Sequence, residues 1–233
     1  MAPLTFIVAR FIRRHGFKLL SCLIFAGLVA VTNHRACAAV MTFSGDSTDE
    51  ADWQAAAGAT SLENFESYSA GVQISSLPAL GLSFDELAGG GYPVTYLFSE
   101  GPPHGPMHLA NFPNGVGGSN QFDDIVAHVL PGYEITAFGF WNGDGQSDTL
   151  FATAYDESDN VIATVGAFKD QFAGMVADTA IARIVFDGTT GDGWDHMDGL
   201  QTNALAVPEP ATVWLLVTGC VGLMMYRRVR LTG

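Results

Sequence analysis

Residues 207–233 read VPEPATVWLLVTGCVGLMMYRRVRLTG, and the order of their parts constrains everything before them. A triplet of Pro208, Glu209 and Pro210 comes first, then an uncharged, largely apolar run (211–226), then Arg227, Arg228 and Arg230. The prolines remove backbone donors and keep the entry extended, so no helix from the preceding region runs through it. The apolar run needs lipid or a protein core, and arginines behind such a run favour the cytoplasmic side. As a helix it would be roughly 24 Å long at about 1.5 Å per residue. That falls short of the roughly 30 Å hydrocarbon core, a gap that snorkelling arginines and local thinning can close. The segment is therefore expected to be a transmembrane helix, and a globular part must precede it.

The other end is also basic and apolar. Arg10, Arg13, Arg14 and Lys18 lead into an apolar stretch (19–31), and Ala36-Cys37-Ala38 has the small-x-small form of a cleavage site. Residues 1–38 are expected to be a Sec signal peptide, with Ala39 opening the mature chain. Arg13-Arg14 lacks the remaining residues of a twin-arginine export signal.

Between these ends lie residues 39–206, enough for one domain. They hold 23 of the 24 acidic residues but only two of the 10 basic ones, Lys169 and Arg183, and so carry −21. A domain so acidic repels phosphate backbones, which argues against nucleic-acid binding, and it makes divalent cations reasonable partners. Cys22, Cys37 and Cys220 all fall in the terminal segments. The middle therefore has no disulfide, thiolate nucleophile or thiolate metal site.

Its composition is that of an all-β domain. Residues 39–60 read as an N-terminal extension with one short helix over 49–59, where acids fill the first turn and alanines follow. Strands are expected at 135–141, 149–155, 161–168 and 181–186, and the polar loop 156–160 joins the second and third as a hairpin. In the last of these, Ala182, Ile184 and Phe186 form an apolar face, so Arg183 should meet solvent or an acidic partner. Weaker candidates lie at 61–65, 71–75, 80–84, 94–98 and 125–130. Short strands at this spacing indicate an antiparallel β-sandwich. Residues 101–120 carry Pro102, Pro103, Pro106 and Pro113 among glycines and read as a long surface loop.

Together the triplet, the apolar run and the arginines resemble the PEP-CTERM sorting signal of Gram-negative bacteria that make exopolysaccharide. The resemblance covers residues 207–233. It implies Sec export, retention in the inner membrane with the domain in the periplasm, and processing by an exosortase. Release to the cell surface or matrix would follow. Pro208, Glu209, Pro210, Arg227 and Arg228 would carry the signal; an ordinary single-pass anchor remains the alternative. A looser resemblance covers about 61–203, through NFESYSAG (64–71), AFGFW (137–141), IARIVFDG (181–188) and DGWDHMDGLQ (192–201). These look like the jelly-roll domain of many PEP-CTERM proteins, related in shape to lectins and carbohydrate-binding modules.

Two acidic stretches offer oxygens for Ca²⁺. Asn142, Asp144, Gln146 and Asp148 alternate in one, and Asp192, Asp195 and Asp198 are three apart in the other. The first departs from the EF-hand pattern, with Ser147 and Thr153 where that pattern needs Gly and Glu, and Asp-Gly pairs also make plain turns. The sequence allows the two stretches to lie at the same or at opposite ends of a sandwich. Trp141 and Trp194, each beside an acidic stretch, are candidate platforms for a sugar ring, with core packing as the alternative. His104 and His108 have the i, i+4 spacing of a zinc pair, but Gly105 and Pro106 between them argue against the helix such a pair uses.

Catalytic motifs are lacking: there is no Gly-x-Ser-x-Gly elbow and no phosphate-binding glycine loop. Glu63 with Glu66, or Asp123 with Asp124, is the sort of carboxylate pair a glycosidase uses, although 23 acids produce such pairs by chance. The expected function is that of a non-enzymatic surface or matrix protein that binds polysaccharide. A secreted glycan hydrolase and a purely structural matrix protein are the alternatives.

Overall fold

The computed structural model describes residues 39–87, 90–97, 104–111, 124–143, 149–188 and 195–207. The expected signal peptide and the C-terminal segment from Pro208 onward lie outside these. Among the described residues no helix is long and apolar enough to cross a membrane.

The described chain is an all-β sandwich of two antiparallel sheets. In chain order its elements are β1 (Val40–Gly45), α1 (Ser47–Ala57), β2 (Ser61–Glu63), β3 (Ser76–Leu77), β4 (Leu82–Phe84), β5 (Val94–Leu97), β6 (Met107–Ala110) and β7 (Ile125–Val129). There follow β8 (Tyr133–Asn142), β9 (Thr149–Tyr155), β10 (Val161–Phe168), β11 (Phe172–Ile181), β12 (Arg183–Gly188), β13 (His196–Thr202) and β14 (Leu205–Ala206). One sheet runs β1-β11-β8-β13-β6-β5, with β2 paired to β13 and β14 to β8. The other runs β10-β9-β12-β7-β4-β3.

Alternation explains the core. In β8, Phe138 and Phe140 point inward and meet Phe186 of β12, with ring centroids 6.2 and 5.3 Å from it. Leu109, Met175, Met197 and Leu200 add to this layer from the same sheet as β8, and Leu82, Ile125, Leu150 and Ile184 face them from the other sheet. The β9–β10 hairpin forms where expected. Asp156 accepts from the Ser158 and Asn160 backbone N–H groups at 2.8 and 2.9 Å, which fixes the turn. Arg183 meets an acidic partner, Asp159, and its guanidinium lies 4.0 Å from the Tyr155 ring centroid.

Several expectations need correcting. β6 occupies part of the expected surface loop, and β13 occupies part of an expected acidic loop. The expected strand at 71–75 reduces to a single bridge from Gln73 to Val94. β11 was not expected at all: its sequence, FAGMVADTAI, lacks the β-branched and aromatic density that marks a strand. β11 is a strand because it pairs on both sides, with β1 and with β8.

The helix covers the outer face of the first sheet. Asp46 caps it, accepting from Thr48 N–H at 2.7 Å, while its own N–H bonds Asp49 Oδ2 at 3.1 Å. Trp53 is the anchor. It is fully buried against Phe172, Trp141 and Ala137, and its indole N–H donates to Met175 O at 3.0 Å. Gly139 and Gly174 lie beneath it, and a Cβ at Gly174 would come within 2.8 Å of the Trp53 ring. Glycines there let the indole rest on the sheet backbone.

Candidate functional site

Beside Trp53, the covered face turns polar. β13 creates this region through a bulge. Asp198 lies opposite Trp141 and Gln201 opposite Gly139, so three steps along β13 match two along β8. Gly199 holds the bulge at φ +53°, in the left-handed region. As a result Asp198 and Gln201 both face α1, although strict alternation would put them on opposite faces.

Around them a network closes. Gln54 Nε2 donates to Gln201 Oε1 at 2.9 Å, and Gln201 Nε2 in turn donates to Glu50 Oε1. His104 Nε2 lies 3.3 Å from the same Glu50 oxygen. The His104 ring also packs edge-on to Trp141, with centroids 6.0 Å apart. Asp198 accepts from Gly199 N–H at 2.6 Å, while its buried Oδ2 has no hydrogen bond among the described residues.

Burial and charge act differently on each group. Burial pushes the Glu50 carboxyl up, but hydrogen bonds from His104 and Gln201, the His104 charge and the Trp141 indole bring it below its ordinary value. His104 is raised by its bond to Glu50, against burial, with the Glu50 and Asp198 charges adding to the rise. Asp198 is pushed up to about 7 by burial, helped by the Glu66 and Glu50 charges and opposed by Gly199 N–H and His104. Glu50 favours the protonated form of His104, and beside them stands a carboxyl that is protonated below neutrality.

A second polar group closes one end of the sandwich. Met197 pairs with Asn142 and His196 with Ala110, so the strand ends flanking 112–123, 144–148 and 189–194 come together there. The two acidic stretches thus begin and end at the same end of the fold. Asn111 and Asp195 exchange two bonds, Asn111 Nδ2 to Asp195 Oδ2 and Asp195 N–H to Asn111 Oδ1, each 3.1 Å. Asn142 Nδ2 donates to Ala167 O at 3.0 Å. His108 and His196 are fully buried nearby. Burial lowers His108 to about 4, against Gly105, Glu66 and Asp170, and it lowers His196 to about 3, with the His108 charge adding.

Of the residues expected to bind calcium, Asn142, Asp195 and Asp198 are described, one in the first stretch and two in the second. Asn142 pairs with the inward-facing Met197 and Asp198 with the outward-facing Trp141, so their side chains leave opposite faces of the sheet. The Asp195 carboxylate is held by Asn111. Among the described residues no group of three or more histidines, cysteines or acids is placed to hold a metal ion. Asp144, Asp148 and Asp192 lie outside the described residues, as do Trp194 and the sorting residues Pro208, Glu209, Pro210, Arg227 and Arg228.

Trp141 needs correcting as a sugar platform. It is 3% exposed, because the helix and His104 cover the face on which it lies. His104 and His108 do not share a helix face: His104 sits in a turn and His108 in β6. Glu50, Gln54, Gln201 and Asn111 escaped sequence reading. No local spacing marks them, since Glu50 and Gln201 are 151 residues apart. No family model matches the chain, and no curated protein matches it.

Chemically, the Glu50–His104–Asp198 group can exchange protons near neutral pH. Asp198 is buried, Glu50 lies on the sheet-facing side of α1, and His104 is partly exposed. The group fastens the helix and His104 to the sheet.

Proposed function

We propose that this chain is a non-enzymatic exported protein, an acidic jelly-roll-like sandwich delivered to the cell surface or matrix, where it binds polysaccharide. Its C-terminal segment works as a sorting signal that an exosortase processes after Sec export. One observation carries this reading. The last described strand, β14, pairs with the start of β8, and Val207 N–H donates to Gly132 O at 2.8 Å. The Pro-Glu-Pro triplet begins at the next residue in the sequence, so a paired strand of the domain runs up to the start of the proposed signal.

The glycan-hydrolase alternative is weakened by the roles of its carboxylates. Glu63 accepts from Phe65 N–H at 2.8 Å and Glu66 from Met107 N–H at 2.7 Å, so both hold backbone. The test is to express the full chain, tagged after Gly233, in a host that has an exosortase. The mature surface protein is expected to lose the tag, and Glu209→Ala is expected to leave the tagged form in the inner membrane. Mature protein that retains Arg227 and Arg228 overturns the sorting reading.

A further inference from the structure

At the end of the sandwich opposite His196 and Asn142 lies a cavity of about 400 Å³, within the range of small-ligand sites. A register mismatch between β11 and β8 borders it. Val176 lies opposite Ala137 and Ile181 opposite Ile135, so five steps along β11 meet two along β8. The surplus residues leave the pairing with β8, and Ala180 and Ile181 turn to the cavity.

The lining is chemically divided. Val129, Ile181 and Val207 supply apolar surface, and Tyr133 supplies a half-exposed aromatic ring. That ring is held in place because Gly81, at φ +67°, has no Cβ; one there would lie 3.1 Å from Tyr133 Cγ. Glu134 and Glu157 also line the cavity, both exposed, and neither has a hydrogen-bond or ion-pair partner among the described residues. Among the described residues, no lysine, arginine or histidine lines it. The nearest cation in sequence, Arg183, is already engaged by Asp159 and Tyr155.

An apolar wall with one aromatic ring and two unpaired carboxylates selects by charge. Two carboxylates of like charge disfavour uronic acids and phosphates and favour a cationic ligand. We infer that this cavity binds a ligand carrying a primary ammonium on a body with an apolar face, namely an amino-sugar unit of a surface polysaccharide. The ammonium sits at Glu134 and Glu157, and the C–H face of the sugar lies along Tyr133 and the aliphatic wall. The identity of the sugar rests on the polysaccharide reading above; the ammonium site does not.

The test is calorimetric titration of the full chain, in detergent where the anchor is retained, with four probes. These are glucosamine oligosaccharides, their N-acetylated counterparts, oligogalacturonate and a diamine. The glucosamine oligomer is expected to bind at least about tenfold more tightly than the N-acetylated one, with affinity falling as salt rises. The double variant Glu134→Gln/Glu157→Gln should lose that preference with its melting temperature unchanged, because both side chains are exposed. Tyr133→Leu should weaken the oligosaccharide and leave the diamine unaffected. Failure of every amine to bind, or equal binding by the Gln variant, overturns the inference. Diamine binding without glucosamine binding upholds the ammonium site and overturns the amino sugar as its ligand. Tail processing is read separately, so neither result decides the sorting reading.

Discussion

Gly199 shows how one residue sets the polar cluster. Its left-handed backbone and missing side chain allow the β13 bulge. A Cβ there would lie 2.5 Å from His104 Cδ2 and 2.9 Å from Trp141 Cδ1. Gly199→Ala is therefore expected to destabilise by about 2 kcal/mol or more, read as a lower melting temperature with a weaker His104–Glu50 pair. Asp198 gives a pH signature. Unfolded, its carboxyl ionises near the model-peptide value of 3.8, and folded near 7. Between those values the unfolded chain holds fewer protons, so this group lowers stability as pH rises. His108 and His196 act in the opposite sense. Their folded values near 4 and 3 lie below the unfolded 6.5, so stability falls as pH drops through that range. Urea titrations across pH 4–8 should show Asp198→Asn gaining stability relative to the parent as pH rises, and the gain should level off above about pH 7. A gain independent of pH would remove the buried-acid account.

Helix α1 depends on one large contact and one cap. Its sequence, STDEADWQAAA, offers little apolar face beyond Trp53. Trp53→Ala should therefore cost about 3–5 kcal/mol and release Glu50 and Gln54 from Gln201, giving early amide exchange across α1. Asp46→Ala removes only the cap and should cost about 1 kcal/mol. A Trp53 variant with unchanged exchange in α1 would show that the helix is held by something else. β9, β10 and their loop were legible because a polar turn separates two β-rich runs, and local chemistry specifies both. β11 was not legible, because its strand character comes from its partners. The β13 bulge was equally hidden, since a register shift depends on the neighbouring strand.

Across the molecule, the two acidic stretches return to one end of the sandwich, where their described flanks are locked by Asn111 with Asp195 and by Asn142 with Ala167. The calcium expectation still rests on both acidic stretches. Melting the full chain with calcium and then with EDTA tests this. A rise with calcium that Asp144→Ala or Asp192→Ala weakens supports the site, and identical melts exclude it. The sequence by itself determined the all-β class, the hairpin, the short helix and the outward direction of Arg183, because periodicity and turn chemistry are local properties. Only the tertiary structure decided that Trp141 is buried, that Glu50, His104 and Asp198 meet beneath α1, and that a cavity opens between β8 and β11. Each of these depends on strand register and on which face the helix covers. A single misaligned residue reverses such facts, and they are set by contacts between segments distant in sequence.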